Sequence, residues 1–406
     1  MATIEQNYDI AIAVDPGFSD TKVAINGLLF SIPRALVDVT GKTDNFIIGT
    51  KRPGYLLSHY IEGRDILIGA QAKSLLTVPE YKEQRKAIED VMNSYERFST
   101  DDSEVTIMTA IELALVKYAD YTKKKRIKPT LDIDKPLTGT QFNIYVGIAL
   151  PNDAVEEKWG SVKKYLSGTH NFSIETEDGV FNLDFEIKKG SLMANSQVIS
   201  AFIGCIADDQ GNIDEAALNV ADQSKLPALI IDGGYKTIAD FMFTENYMAE
   251  GASSNTDYAM MNIYKAIAEK IRNEYGREDV NTDDIIKHLE SDGIIICEKG
   301  DNTEAVELKP LFDAAKEEIC REYVDHLNKK YNKLLDVKQI IITGGTGAQF
   351  YDYIKDYVDK HKTHLKGHVI LTDYEFMGRK ISPEYGIVVG MYKSLLAAIR
   401  GVSTAE

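Results

Sequence analysis

A chain of 406 residues, 44% hydrophobic and 27% charged, is too long for one ordinary core and has a soluble globular composition, so two domains are expected. Its formal charge of −17 disfavours broad contact with a nucleic-acid backbone, so any handling of DNA would fall to an adaptor; acidity kept for solubility accounts for the charge equally well. No apolar stretch approaches the roughly 20 residues of a bilayer span, the start Met1–Asn7 is polar, and Cys205, Cys297 and Cys320 are scattered, so a cytoplasmic, reduced setting without membrane contact is expected.

In chain order, Tyr8–Val14 predicts a strand with a hairpin partner over Thr21–Ile25, and Leu28–Val37 continues the meander. Residues from about 38 to 98 lack a strong period and read as a small insertion. Ile107, Ala110, Ile111, Ala114, Leu115 and Tyr118 recur at helical spacing, which predicts an amphipathic helix over Glu104–Tyr121, with Lys123–Lys128 a basic run on the exposed linker beyond it. Phe142–Leu150 is an apolar run suited to a strand buried on both faces. A helix over Val155–Leu166, a hairpin of Phe172–Thr176 with Val180–Ile187, and a helix over Val198–Ile206 follow.

The second half repeats this grammar. A strand at Leu229–Ile231 leads into a hairpin through Ile238–Phe243, then helices over Thr256–Tyr275, Asp283–Glu290 and Pro310–Leu335. A strand Gln339–Thr343, a helix Ala348–Lys360, a strand His368–Leu371 and a last helix Pro383–Arg400 complete the chain.

Three segments stand where predicted strands end: Asp15-Pro16-Gly17-Phe18-Ser19-Asp20-Thr21-Lys22, Asp232-Gly233-Gly234-Tyr235-Lys236-Thr237, and Thr343-Gly344-Gly345-Thr346-Gly347. Glycine turns let backbone N–H groups approach phosphate without side-chain obstruction. Ser19, Thr21 and Thr237 would add hydroxyl donors, and Lys22 would reach back to the β- and γ-phosphates. Asp15 and Asp232 suit a hydrated Mg²⁺ held through water. Gly344–Gly347, which carry no acid, would form a shelf for the nucleoside at the start of the next helix. A lone Asp-x-Gly carries little weight; three such turns in order, each after a strand, carry much more. His361, His364 and His368 cluster in sequence but sit among lysines and read as solvated surface rather than a metal site.

These segments resemble the two phosphate motifs and the adenosine motif of the actin, sugar-kinase and heat-shock-chaperone superfamily. Asp15-x-Gly17-Phe18-Ser19-Asp20-Thr21-Lys22 and Asp232-x-Gly234-Tyr235-Lys236-Thr237 look most like the bacterial plasmid-segregation actins of the ParM (StbA) group, and Pro383–Gly390 is similar to that group's second connecting helix. The resemblance spans the chain. It implies an α/β actin-like ATPase fold of two domains, each with a ribonuclease-H-like mixed sheet flanked by helices, and a nucleotide in the interdomain cleft. The first domain would take about 1–195 and the final helix from about 384 to 406, with an insertion over about 38–103. The second would take about 196–383, with a helical part over about 253–335. It implies Mg²⁺ and ATP as ligands, GTP being the alternative, self-assembly into filaments, and contact with plasmid DNA only through a centromere-binding adaptor. The site would comprise Asp15, Asp232, Gly17, Phe18, Ser19, Thr21, Lys22, Gly233, Gly234, Tyr235, Lys236, Thr237, Gly344, Gly345, Thr346 and Gly347.

The group carries Gln or Glu at the start of its first connecting helix to orient the attacking water. Counting on from Leu183–Ile187, that place falls near Gly190, which cannot serve. A shifted frame puts Gln197 there, with an ordinary polar residue at a helix start as the competing reading; Glu186 alternates with apolar neighbours in its strand and is the weaker choice. The rival function is a small-molecule kinase, which needs a carboxylate base, and no convincing Asp lies between Phe185 and Gln197.

Overall fold

A computed structural model describes residues 8–42, 53–81, 84, 98–127, 131–137, 142–212, 225–244, 249–299, 302–372 and 374–403. The expected insertion over about 38–103 falls in part outside these residues, as does Lys128. Two compact units emerge: Met1–Asp214 with Glu375–Ile381 and Tyr385–Glu406, and Glu215–Tyr374 with Ser382–Glu384. The division after Asp214 puts the helix Gln197–Ile206 in the first unit, whereas the sequence boundary at 195/196 assigned it to the second.

In the first unit, β1 (Tyr8–Pro16), β2 (Asp20–Ile25) and β3 (Leu28–Pro33) form an antiparallel meander. Short strands β4 (Leu36–Asp38), β5 (Leu56–Ser58) and β6 (Ile66–Ile68) follow, then β7 (Phe142–Leu150), β8 (Gly168–Thr176), β9 (Gly179–Ile187) and β10 (Leu192–Ser196). The main sheet runs β10-β7-β1-β2-β3, with β10, β7 and β1 parallel. Alternation along β1 sorts side chains by size: Ile10, Ile12 and Val14 enter a core with Ile107, Ile111 and Leu115 of the helix Asp101–Lys125. Ala11 and Ala13 face Val388, Met391 and Leu395 of the helix Gly386–Ser403, where small residues let that helix close on the sheet. The hairpin β8–β9 joins a second sheet, β4-β6-β5-β8-β9, built on the insertion.

The second unit repeats the main sheet. Here β11 (Ala228–Gly233), β12 (Ile238–Phe243) and β13 (Ala249–Asn255) make the meander, β14 (Ile294–Lys299) and β15 (Asn302–Glu307) an isolated hairpin, and β16 (Gln339–Thr343) and β17 (Val369–Leu371) the parallel strands, in the order β13-β12-β11-β16-β17. Helix Met260–Tyr275 starts later than the expected Thr256, because Asn255 caps a turn by accepting from the Asp257 N–H at 2.7 Å. Helix Leu308–Lys330 stops short of the expected Leu335, since Asn332, Lys333 and Leu334 all adopt positive φ. Among the described residues no helix is long and apolar enough to cross a membrane.

Candidate functional site

In the first unit the turn between β1 and β2 is set by register. Asp15 pairs with Lys22 across the strands and is 1% exposed. The Gly17 N–H donates to the Asp15 carbonyl at 2.9 Å. A Cβ at Gly17 would stand 2.7 Å from the Asp20 carbonyl oxygen, a backbone clash, so the turn requires glycine. Lys22 Nζ lies 3.7 Å from that same point, which puts the ammonium over the turn. Phe18 and Lys22 are half-buried and Ser19 is exposed. Thr21 departs from expectation. It is fully buried, its hydroxyl has no hydrogen-bond partner, and its place in β2 is the core-facing one. A hydroxyl shut into the core does not meet a ligand.

Gln197 is the first residue of the helix Gln197–Ile206. Strand β10 runs parallel to β7, and β7 to β1, so all three deliver their carboxyl ends to one edge of the sheet. Ser196 ends β10 and caps the helix, its hydroxyl accepting from the Ile199 N–H at 3.2 Å. That stop places the Gln197 amide on the end of β1, where Nε2 donates to Asp15 Oδ1 at 2.8 Å. Gly190, by contrast, is exposed in a short 3₁₀ turn, and Glu186 pairs with Thr169 in the other sheet.

The second unit builds the same turn from different residues. Asp232, 6% exposed, is the last residue but one of β11 and pairs with Ala239 as Asp15 pairs with Lys22. Gly234 therefore matches Gly17, and Thr237 matches Asp20. The Gly234 N–H donates to the Thr237 carbonyl at 2.8 Å, and a Cβ at Gly234 would stand 3.0 Å from that oxygen. Tyr235, Lys236 and Thr237 are half-buried, and the Tyr235 phenol is pushed up chiefly by burial. The third segment packs onto this turn. Gly344 (φ 78°) caps the helix Gly345–His361, and a Cβ there would meet the Gly233 carbonyl oxygen at 2.5 Å and Asp232 Oδ1 at 2.7 Å. A Cβ on Gly233 would stand 2.2 Å from the Gly347 nitrogen, so this glycine pair lets the helix start touch the strand end. Gly345 is exposed. Thr346, expected on the nucleoside shelf, is buried, and its hydroxyl donates to the Gly234 carbonyl at 2.5 Å, bracing the turn from behind.

Taken by itself, the strand-end turn of each unit has the groups that fit phosphate and a hydrated divalent cation. Gly17, Gly233 and Gly344 let backbone close up where a Cβ would collide, and a buried carboxylate stands just before each acid-glycine turn. Among the described residues no three His, Cys, Asp or Glu side chains group to cage a metal directly. Such a donor set suits Mg²⁺, which keeps most of its waters.

The histidines fall to separate neighbours: His361 packs on the Tyr357 ring at 4.9 Å, His364 bonds the Leu334 carbonyl at 3.0 Å, and His368 lies 3.4 Å from Lys225 Nζ. Lys123, Lys124 and Lys125 form the last turn of the helix Asp101–Lys125 rather than a linker, favourably placed for its negative end. The sequence reading passed over Arg34, which reaches the first turn from beyond β3. A single arginine inside the apolar run Leu28–Val37 was the available signal.

No family model and no curated protein matches this chain in sequence. Solved structures do match. The actin-like protein Alp7A is similar at a TM-score of 0.68 and 15% identity, over 98% of each chain. A ParM from a 15-stranded filament of Clostridium botulinum gives a TM-score of 0.62 at 17% identity, covering 96% of this chain and 99% of that one. An archaeal actin homologue in complex with ADP gives 0.58 at 15% identity, covering 96% and 99%. With the doubled sheet and its strand-end turns, these likenesses show that the chain has the actin-like fold, shared with the ParM and Alp7A proteins.

Proposed function

We propose that this chain is a nucleotide-dependent, filament-forming ATPase that segregates or positions plasmid DNA through a DNA-bound adaptor. The observation that carries the reading is the hydrogen bond from Gln197 to Asp15 beside a glycine turn that recurs in the second unit. The turns shaped by Gly17 and by Gly233-Gly234 would present the backbone N–H groups of Phe18, Ser19, Tyr235 and Lys236 to phosphate oxygens, with Thr237 alongside and Lys22 adding a point charge. Gly344, Gly345 and Gly347 would seat the nucleoside at a helix start. Asp15 and Asp232 would hold Mg²⁺ through its waters, and the ion when bound would neutralise phosphate charge. With Nε2 committed to Asp15, Gln197 has Oε1 with which to accept a hydrogen bond from an attacking water.

Two solved relatives in fold support the assembly and nucleotide parts of this reading: one is a filament and one holds ADP. The net charge of −17 supports an adaptor between this chain and DNA. Light scattering against protein concentration, with Mg-ATP, with Mg-GTP and without nucleotide, tests it. A critical concentration that appears only with nucleotide, accompanied by phosphate release, is expected. No nucleotide-dependent assembly would overturn the filament reading, and phosphate transfer to a sugar or acid acceptor well above hydrolysis would replace it with a kinase.

A further inference from the structure

Arg34 is 9% exposed, and its partners are nearly all backbone of one turn. Nη1 donates to the carbonyls of Pro16 at 3.3 Å and Gly17 at 3.0 Å, and the Arg34 N–H donates to the Ser19 carbonyl at 2.8 Å. Nη2 is anchored on Ser103 Oγ at 3.1 Å, in the first turn of the helix Asp101–Lys125. One residue thus holds three carbonyls of the first glycine turn. In a planar trans peptide the N–H points opposite to the C=O. Carbonyls drawn towards Arg34 therefore turn the following N–H groups, those of Gly17, Phe18 and Asp20, to the other side. The Gly17 N–H is spent on the Asp15 carbonyl, and the Asp20 one follows the Arg34 backbone, so the side chain itself aims that of Phe18.

The second unit shows the same device with other chemistry. The carbonyl of Gly234, which matches Gly17, is held by the Thr346 hydroxyl. That brace is neutral, and Ala239 stands where the first unit has Lys22. The first turn has one cation over it, Lys22, and another beneath it, Arg34.

We infer that Arg34 is a positioning residue for phosphate: it aims the first turn's backbone N–H through the carbonyls it holds and adds a positive charge beneath that turn. The inference rests on the nucleotide reading above. Burial pulls the guanidinium down to about 10, opposed by the charges of Asp102 and Asp15, so it stays protonated at neutral pH. Its planar fork reaches two carbonyls and a hydroxyl together, which an ammonium cannot do in that geometry.

The test compares binding of Mg-ATP and Mg-GTP with binding of adenosine and guanosine, by competition, for wild type, Arg34→Met, Arg34→Lys and Ser103→Ala in the full chain. Folded Arg34→Met and Arg34→Lys should bind triphosphate about 10- to 100-fold more weakly and nucleoside within about threefold of wild type. Ser103→Ala, which frees only Nη2, should lose several-fold for triphosphate alone. Should Arg34→Met fail to fold, Arg34→Lys and Ser103→Ala decide. Equal losses for both ligand classes, or an unchanged ratio in the folded variants, would overturn the inference. Wild-type protein that binds no nucleotide would instead overturn the reading beneath it, a separate result.

Discussion

The side-chain amide of Gln197 donates to the carboxylate of Asp15 at 2.8 Å across 182 positions of sequence. That contact couples the end of β1 to the start of the helix Gln197–Ile206. It fixes which end of the amide faces outward.

Removing that amide should separate hydrolysis from binding. For Gln197→Ala, phosphate release should fall about a hundredfold or more, while triphosphate affinity stays within about threefold. Single-turnover hydrolysis set beside equilibrium binding measures both. A comparable loss of affinity would show that Gln197 only supports the fold of the turn.

The carboxylates at the two strand ends make a parallel prediction. Asp232→Ala and Asp15→Ala should each cut phosphate release about a hundredfold or more, with a far smaller effect on folding. Lys22→Ala should weaken triphosphate binding about tenfold, since it removes one charge-assisted contact. Melting curves run beside the assays check this, and equal loss of fold and activity would undo the assignment of either aspartate.

Among the described glycines of the first unit, Gly390 leaves the least space for a Cβ. A Cβ there would stand 1.6 Å from the Ser200 carbonyl oxygen and 2.7 Å from the Gly204 nitrogen, both backbone atoms. Gly390→Ala must therefore push the helices Gln197–Ile206 and Gly386–Ser403 apart, at about 1–3 kcal/mol. Denaturant unfolding should show that loss. Because Gln197 rides on the displaced helix, hydrolysis by the folded variant should fall too.

Glu112 is wholly buried in the helix Asp101–Lys125, and neither carboxylate oxygen has a hydrogen-bond partner. Burial alone pushes its carboxyl up to about 10. The raised folded value means its protonated form fits the core. Stability is then fullest below the ordinary glutamate range and declines as pH rises from there towards the folded value. Glu112→Met, which keeps the volume and removes the charge, should raise the melting temperature, and more at about pH 9 than at about pH 5. A gain independent of pH would show that Glu112 is not the titrating group.

Much of the strand grammar was legible because it is local. The apolar runs at Ile10–Val14, Leu229–Ile231 and Ile340–Ile342 lie in β1, β11 and β16, and Gly17, Gly233 and Gly344 sit where backbone crowding forbids a Cβ. Strand β10 was not legible, since Met193-Ala194-Asn195-Ser196 lacks an apolar run; parallel pairing with β7 makes it a strand. That is why counting from Leu183–Ile187, which lies in the insertion's sheet, led to Gly190. The hairpin Ile294–Glu307 escaped because only its first strand carries an apolar run, Ile294–Cys297, while its partner Asn302–Glu307 is mostly polar.

Sequence alone determined the punctuation of this chain. It shows which strands end in an aspartate, which turns need glycine, and that one arrangement occurs twice, because these follow from short-range sterics and hydrophobic period. Tertiary structure decided the work of each polar group. Thr21 and Thr346 share the same hydroxyl chemistry as Ser19, yet one faces the core, one braces a carbonyl and one lies exposed. Gln197 and Arg34 acquire their partners from segments far away in sequence. The reason is geometric: strand order and helix crossing choose which distant side chain can reach a given backbone atom, and no local pattern encodes that distance.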